Sequence, residues 1–328
     1  MKTTLQEVAN LAGVSKALVS KYLTNAPDAR MREGTRRRIE EAVRRTGYAP
    51  SRLAQSLKRG KTQTIGLVIS ELCNAFWASV TDMALREALR GGYRLLISLG
   101  SHTCREEAEH LRSLSAFPVD GILFCEHFGK NAETERMREQ KYPMMLLYQE
   151  SPDFLFSTVS HASALRDAVA FLRNGNVADI FCMHSEFSPW PVLLAEECRK
   201  QGIPYAASSL SLVPEEQFRT IREICRRAPS AIFLNGWRMT LLLLQILERE
   251  FPAYEPKIVM NVNFEHPAFL NPRITGFVRH DFREVVRAGV QNLIDSIEGR
   301  AAHSTTVESR FIPGSLYREQ RRERYLYY

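Results

Sequence analysis

The sequence predicts an α/β protein with a three-helix head over residues 1–46, a hinge helix or linker over 47–60, and a two-lobed core over 61–328. Three observations predict this. Two short helical patterns flank a glycine turn near the N-terminus. Positive charge is concentrated in the same stretch. From residue 64 onward, apolar strand-like runs alternate with amphipathic helical runs, the pattern of doubly wound parallel sheets.

The head follows from local chemistry. Thr4 and Glu7 stand at capping-box spacing, so a helix should start near Leu5. Val8, Ala9 and Leu11 would form its apolar stripe. Ala12-Gly13-Val14 reads as a three-residue turn, and Gly13 tolerates the positive φ that such turns use. Ser15 is a good N-cap for a second helix to about Thr24, with Leu18, Val19, Tyr22 and Leu23 facing inward. Ser15, Lys16, Ala17, Ser20 and Lys21 remain for the outer face. A third helix over about 35–45 would supply Ile39, Ala42 and Val43 to a small core. By itself, the pattern also fits an ordinary helical hairpin.

Charge separates those readings. Residues 1–61 carry 14 Lys and Arg against 5 Asp and Glu, whereas residues 62–328 carry 30 against 32. The net positive charge thus lies in the segment with the helix-turn-helix pattern, where phosphate neutralisation would need it.

In the core, 64–69, 93–99, 119–125 and 143–148 read as strands, with a helix over 76–89 and further helical stretches between them. The alternation repeats as helix 162–172, strand 179–183, helix 191–201, strand 231–234, helix 239–251, strand 257–262, strand 274–278 and helix 281–297. Two such sheets, with a cleft between their strand ends, would form a periplasmic-binding-protein-like core. Chain crossings between lobes are expected near 158–162, 278–282 and 311–315. This gives an N-lobe of about 61–160 with 282–312, and a C-lobe of about 161–281 with 313–328.

Several classes fit poorly. No apolar run approaches the length of a bilayer span, and the N-terminus lacks a signal-peptide pattern, so a cytoplasmic protein is expected. The six cysteines (73, 104, 125, 182, 198, 225) have no CxxC or metal-ligand spacing and read as reduced thiols. The eight histidines form no HExxH or triad-like signature. Gly91-Gly92 ends a helix and lacks the pattern of a phosphate loop. No catalytic residue, metal site or cofactor is expected.

Leu5 to Leu23, followed by Tyr48-Ala-Pro-Ser-Arg-Leu-Ala-Gln-Ser-Leu57, resembles the LacI/GalR family of bacterial transcription regulators. The resemblance is stronger before residue 125 than after it. The family pattern at the second helix is Val-Ser-x-x-Thr-Val-Ser-Arg-Val-Leu-Asn; here Leu18 replaces Thr and Lys21 replaces Arg. The resemblance implies a homodimer on near-palindromic double-stranded operator DNA, controlled by an unidentified small ligand. Ser15 and Ser20 would touch phosphates, and Lys16, Ala17 and Lys21 would face base edges. Asn25 and Arg52 would join the DNA contacts. Ala54 matches the small residue where paired hinge helices approach, and Leu57 the minor-groove lever. The plain alternative for Leu57 is a linker residue. The last residues, 316–328, contain no leucine-heptad extension, which points to a dimer.

The cleft departs from the family. Glu71, Asn74, Phe76 and Trp77 lie in the segment resembling the family's Asn-Pro-Phe-Phe/Tyr, with Ala75 in place of Pro. At the four places where family members carry charged clamping residues, this chain has Tyr148, Trp190, Trp237 and Asn263. Two readings follow. Trp77, Trp190 and Trp237 could stack on a flat or weakly polar ligand, with Glu71, Asn74, Arg238 and Asn263 as polar contacts. Alternatively the tryptophans fill the cleft, and the protein binds DNA without an effector. A solute-binding protein of the same core fold is a further class, disfavoured by the DNA-binding head.

Overall fold

The computed structural model describes residues 3–23, 31–49, 60–69, 71–72, 75–99, 104–125, 129–184, 190–211, 213–261 and 266–321. They form two compact units, one of residues up to 64 with 118–120, the other of 65–117 with 121–328.

In the first unit, α1 (Leu5–Ala12) opens with a complete capping box. The Glu7 amide donates to Thr4 Oγ1 at 3.3 Å, and the Thr4 amide donates to Glu7 Oε2 at 2.9 Å. Gly13 ends the helix at φ 62°, a left-handed conformation that favours glycine. Ser15 Oγ accepts from the Leu18 amide at 3.2 Å and starts α2 (Lys16–Leu23). The third helix, α3 (Glu33–Thr46), begins two residues before the expected 35 and ends at Gly47, φ 61°. Val8, Ala9, Ala12, Val19, Ile39 and Ala42 are the buried core. Leu11 is 45% exposed, a correction to the expected stripe. It lies roughly 100° around the helix from the centre of the Val8–Ala9–Ala12 face.

The second unit holds two six-stranded sheets. The first contains β1 (Thr64–Ile69), β2 (Arg94–Leu99), β3 (Gly121–Cys125), β4 (Met144–Leu147), β5 (Leu155–Ser160) and β11 (Thr305–Glu308), in the order β11-β5-β4-β3-β1-β2. Every pairing in it with a described register is parallel. Its helices are α4 (Ala75–Arg90), α5 (Cys104–Ala116), α6 (Ala132–Glu139) and α11 (Phe282–Ile297). Gly289 lets α11 approach the sheet, since a Cβ there would stand 2.5 Å from Leu147 Cδ2.

The second sheet contains β6 (Ile180–His184), β7 (Tyr205–Ser209), β8 (Ala231–Leu234), β9 (Lys257–Asn261), β10 (Ile274–Arg279) and β12 (Arg310–Pro313), ordered β12-β10-β9-β8-β6-β7. Only β12 runs antiparallel to its neighbour. Its helices are α7 (Ala162–Asn174), α8 (Trp190–Gln201), α9 (Pro214–Arg227), α10 (Trp237–Glu250) and α12 (Gly314–Arg321). Alternate residues of β8 enter opposite cores: Ile232 and Leu234 pack with Leu243 and Phe277, while Ala231 and Phe233 pack with Leu165 and Trp190. Both faces are therefore covered, as parallel strands require.

The chain passes between sheets at His161, at His280–Asp281 and at Ser309. The third crossing precedes the expected 311–315, and residues 310–312 belong to the second sheet rather than to the N-lobe. The reason is pairing: Arg310 to Pro313 form an antiparallel ladder with Arg279 to Gly276.

Candidate functional site

Two regions carry the residues singled out by sequence. The first is the outer face of α2. Ser15, Lys16, Ala17 and Lys21 are exposed there, and Ser20 is half-buried. Val19, fully buried on the opposite side, anchors the helix to α1 and α3. A second tie was not foreseen. The Tyr22 hydroxyl donates to Glu40 Oε1 at 3.0 Å, and the Arg36 guanidinium lies 6.0 Å from the Tyr22 ring centroid. This bracket holds the C-terminal half of α2 against α3 and so orients its outer face. Burial and the Glu40 carboxylate raise the Tyr22 pKa, keeping it a neutral donor. Asn25, Arg52, Ala54 and Leu57 lie outside the described residues, as do Asn74 and Asn263.

The second region lies where strand ends meet the crossings. Phe76 and Trp77 on α4 form an aromatic group with Tyr148 just after β4, at centroid separations of 4.8 Å (Phe76–Trp77), 5.1 Å (Phe76–Tyr148) and 6.0 Å (Trp77–Tyr148). Tyr148 takes φ 64°, a left-handed conformation unusual for an aromatic residue. Its ring lies 5.6 Å from His280, which lies 6.0 Å from His161, which lies 5.3 Å from Trp190. Rings thus run without a break from the first sheet, through two crossings, to the second. His161 Nδ1 is 3.1 Å from Ser309 Oγ, and that hydroxyl donates to the Ser160 carbonyl at 2.9 Å, so the first and third crossings are tied.

Polar groups at this junction are incompletely satisfied. Tyr148 Oη, both ring nitrogens of His280 and Asn261 Oδ1 are buried, with no hydrogen-bond partner among the described residues. Desolvation pushes His280 down to about 3, helped by His161 and Arg279, and pushes His161 down to about 4. Burial raises Tyr148 well above the usual phenol range, with Cys125 and Asp281 adding to the effect. All three rings are therefore neutral near pH 7. Among the described residues, no group of three or more His, Cys, Asp or Glu is placed to hold a metal ion.

Nearer the outside, Arg238 Nη1 of α10 stands 3.7 Å from Glu71 Oε1, which follows β1, so one ion pair spans the two sheets. Arg238 also lies 5.7 Å from the ring centroid of the half-exposed Trp237.

For Trp77 and Trp190, burial favours the packing reading over stacking on a ligand. Trp190 is 1% exposed, inside the core between α7, α8 and the second sheet, and has no face left for a ligand. Trp77 is 7% exposed and packs with Val80, Ala84 and Leu123. Helical spacing carried the signal. Trp190, Leu194 and Cys198 stand at i, i+4 and i+8, and Trp77, Val80 and Ala84 at i, i+3 and i+7, each an inward stripe. The crossings near 158–162 and 278–282 were expected, but no local pattern marked the side chains of His161, His280 and Ser309 as site residues.

The geometry defines a class of protein: a helix-turn-helix head together with a two-sheet core crossed three times by the chain. Residues 4–51 match the family model described as bacterial regulatory proteins, lacI family. Similar curated proteins include the HTH-type transcriptional regulator PtxS of Pseudomonas putida, 29% identical over 56% of this chain and 54% of that protein. The HTH-type transcriptional repressor CytR of Escherichia coli K12 is 29% identical over 90% of each chain. The chain thus spans about half the length of PtxS, 54%, and most of CytR. Among solved structures, the lac repressor dimer bound to operator and the anti-inducer ONPF superposes with a TM-score of 0.82 at 18% identity, over 95% of this chain and 98% of that one. A transcriptional regulator CelR–cellobiose complex superposes at 0.66 with 20% identity, over 96% and 100%. The head is thus similar to that of LacI-family regulators, and the core shares its fold with solved structures of that kind.

Proposed function

We propose that this chain is a homodimeric, sequence-specific DNA-binding transcriptional regulator, acting as a repressor on a near-palindromic operator and without catalytic activity. The observation that supports this best is the α2 face. Lys16, Ala17 and Lys21 stand exposed on a helix buried along its other side, within a segment matching the family model. Lysine donates to guanine O6 and N7, and Ala17 suits apolar contact with a thymine methyl. Ser15 and Ser20 flank the face for phosphates, and Asn25, Arg52, Ala54 and Leu57 keep the roles expected from the family resemblance.

The dimer face in this reading lies on the first sheet's side of the core. Leu85 and Leu89 of α4 and Ile97 and Leu99 of edge strand β2 are 41–56% exposed, an apolar face on adjoining elements. A DNA-binding dimer of this kind works in the cytoplasm. Among the described residues, no helix is long and apolar enough to cross a membrane.

Operator affinity in this reading responds to a small molecule between the sheets, at the Glu71, Phe76, Tyr148, Trp237 and Arg238 end. Support comes from the Glu71–Arg238 ion pair and the unsatisfied Tyr148 and His280, all placed where relative rotation of the sheets would be felt. A ligand favouring one arrangement would shift operator affinity roughly 5- to 150-fold, for a coupling of about 1–3 kcal/mol. The second reading, an effector-independent regulator with a packed cleft, is favoured by the burial of Trp77 and Trp190. The test is to select bound fragments from random duplex DNA with the full chain, then titrate the winning site. Enrichment of a two-fold symmetric site is the expected result. Binding that never exceeds non-specific affinity would overturn the DNA assignment.

A further inference from the structure

We propose that the Tyr22 hydroxyl, through its bond to Glu40, is a positioning device that aims Lys21 at its base pair, and so sets part of the operator specificity without itself touching DNA. This rests on the reading that the α2 face binds DNA, and it names a residue on which the selectivity of that face depends.

Helix α2 has eight residues and is only about 12 Å long. Its two ends are held differently. At the start, Ser15 Oγ accepts from the Leu18 amide at 3.2 Å. In the middle, Val19 is fully buried in the head core. Leu18 and Leu23 are half-buried against the same core and add apolar contact, which has no direction. A directed tie fixes the last turn. Tyr22, one turn beyond Val19, donates its hydroxyl to Glu40 Oε1 at 3.0 Å, and the Arg36 guanidinium lies 6.0 Å from its ring centroid. Lys16 and Ala17 stand beside the N-terminal tie, whereas Lys21 is the chain neighbour of Tyr22. A helix pinned at its start and middle can still swing or unwind in its last turn. Tyr22 therefore governs Lys21 and leaves Ala17 unaffected.

The chemistry of Lys21 makes this aim matter. The LacI/GalR pattern has arginine then valine where this chain has Lys21-Tyr22. An arginine fork is planar and pre-organised for two parallel bonds to guanine, whereas a lysine ammonium is a point charge on a flexible stem. Lysine discriminates bases only as well as its helix is held in place. Valine at the next position gives apolar contact and no hydrogen bond. Tyrosine keeps that contact, since its ring packs against the head core, and adds a directed bond to α3. Arg36 and Glu40 stand one turn apart on α3, a helix anchored by buried Ile39 and Ala42. The bracket therefore rests on a fixed base. Burial and the Glu40 carboxylate keep the Tyr22 hydroxyl protonated, so the donor persists at neutral pH.

The experiment measures the affinity of the full chain for two duplexes, the site recovered by selection and a random duplex of equal length. Tyr22→Phe and Glu40→Ala should each lower the ratio of specific to non-specific affinity roughly fivefold or more, the size of a lost hydrogen bond. The double variant should lose no more than either single one, because both remove the same bond. Glu40→Gln, whose amide oxygen still accepts from the hydroxyl, should stay within about twofold of the unaltered chain. On duplexes carrying single base changes, Tyr22→Phe should flatten preference at the base pair that Lys21→Ala also relaxes, and keep it elsewhere. The slope of non-specific affinity against salt should not move, because no phosphate contact is lost. A ratio within about twofold of the unaltered chain in Tyr22→Phe overturns the proposal. An equal loss on both duplexes also overturns it, since the hydroxyl would then be a phosphate contact. Loss of preference spread over the whole half-site overturns it too, by marking a head that is loosened throughout. In all three cases the unaltered chain still prefers its selected site, so the DNA reading stands. An unaltered chain that binds both duplexes alike overturns that reading and the proposal with it.

Discussion

The α2 face and the inter-sheet junction treat polar residues in opposite ways. In the head, Lys16 and Lys21 stand outside on a helix whose N-cap and core are satisfied locally, and the Tyr22 hydroxyl has Glu40. At the crossings, Tyr148 and His280 are inside and lack hydrogen-bond partners among the described residues, and Trp77 and Trp190, weighed as ligand platforms, are packing. An exposed binding face can be built on a stable unit at little cost. A buried one trades stability for recognition, so its residues are conspicuous by what they fail to satisfy.

The largest expected effect separates packing from recognition. Trp190→Ala should destabilise the core by about 3–5 kcal/mol, as for other large-to-small changes of buried aromatics, measured by denaturant unfolding. A loss below 1 kcal/mol with altered ligand response would return Trp190 to the ligand platform and break the comparison.

Acid should act on the crossings and spare the head. His161 and His280 sit at about 4 and about 3 in the folded protein, below the ordinary histidine value of 6.5. The unfolded chain therefore binds more protons over that interval, and stability falls as pH drops from about 6.5 toward 3–4. Lowering the pH from 7 to 5 should cost on the order of 2 kcal/mol per histidine. His280→Leu should flatten that dependence; an unchanged slope would show that its ring is solvated and protonated in the folded state.

In the head, Lys21→Ala should lower affinity for the selected site by about 1–3 kcal/mol and relax preference at one base position. A competition assay against random duplex sharpens this. Equal losses on both DNAs would make Lys21 a phosphate contact. The smallest effect belongs to the Glu71–Arg238 pair, whose side chains are 37% and 55% exposed. Glu71→Gln should change stability by less than about 1 kcal/mol. A greater loss, checked by unfolding in low and high salt, would make the pair a strong clasp between the sheets.

Much of the architecture was legible in the sequence. Thr4, Glu7, Gly13 and Ser15 each act within four residues of where they stand, so the first helix, its stop and the second helix start could be read directly. The apolar strands of the core were equally clear: 64–69 and 231–234 match the expected bounds to the residue. Tyr205–Ser209 was not, since its Ala-Ala-Ser-Ser run has little strand character and it pairs only as an edge, against β6. Residues 310–312 were expected in the first lobe but join the second sheet, because strand pairing, not composition, decides which sheet a short segment joins.

The sequence by itself determined the head, its basic outer helix face and the alternation that makes two covered parallel sheets, because caps, turns and amphipathic periods are local. Only the tertiary structure decided what meets at the crossings. Tyr148, His161, His280 and Ser309 are brought together by sheet order across 161 residues of chain. Burial there follows from packing against both sheets at once, which no window of sequence contains. The same packing placed Trp190 in the core and left His280, unremarkable in sequence, as a buried imidazole with no hydrogen-bond partner among the described residues.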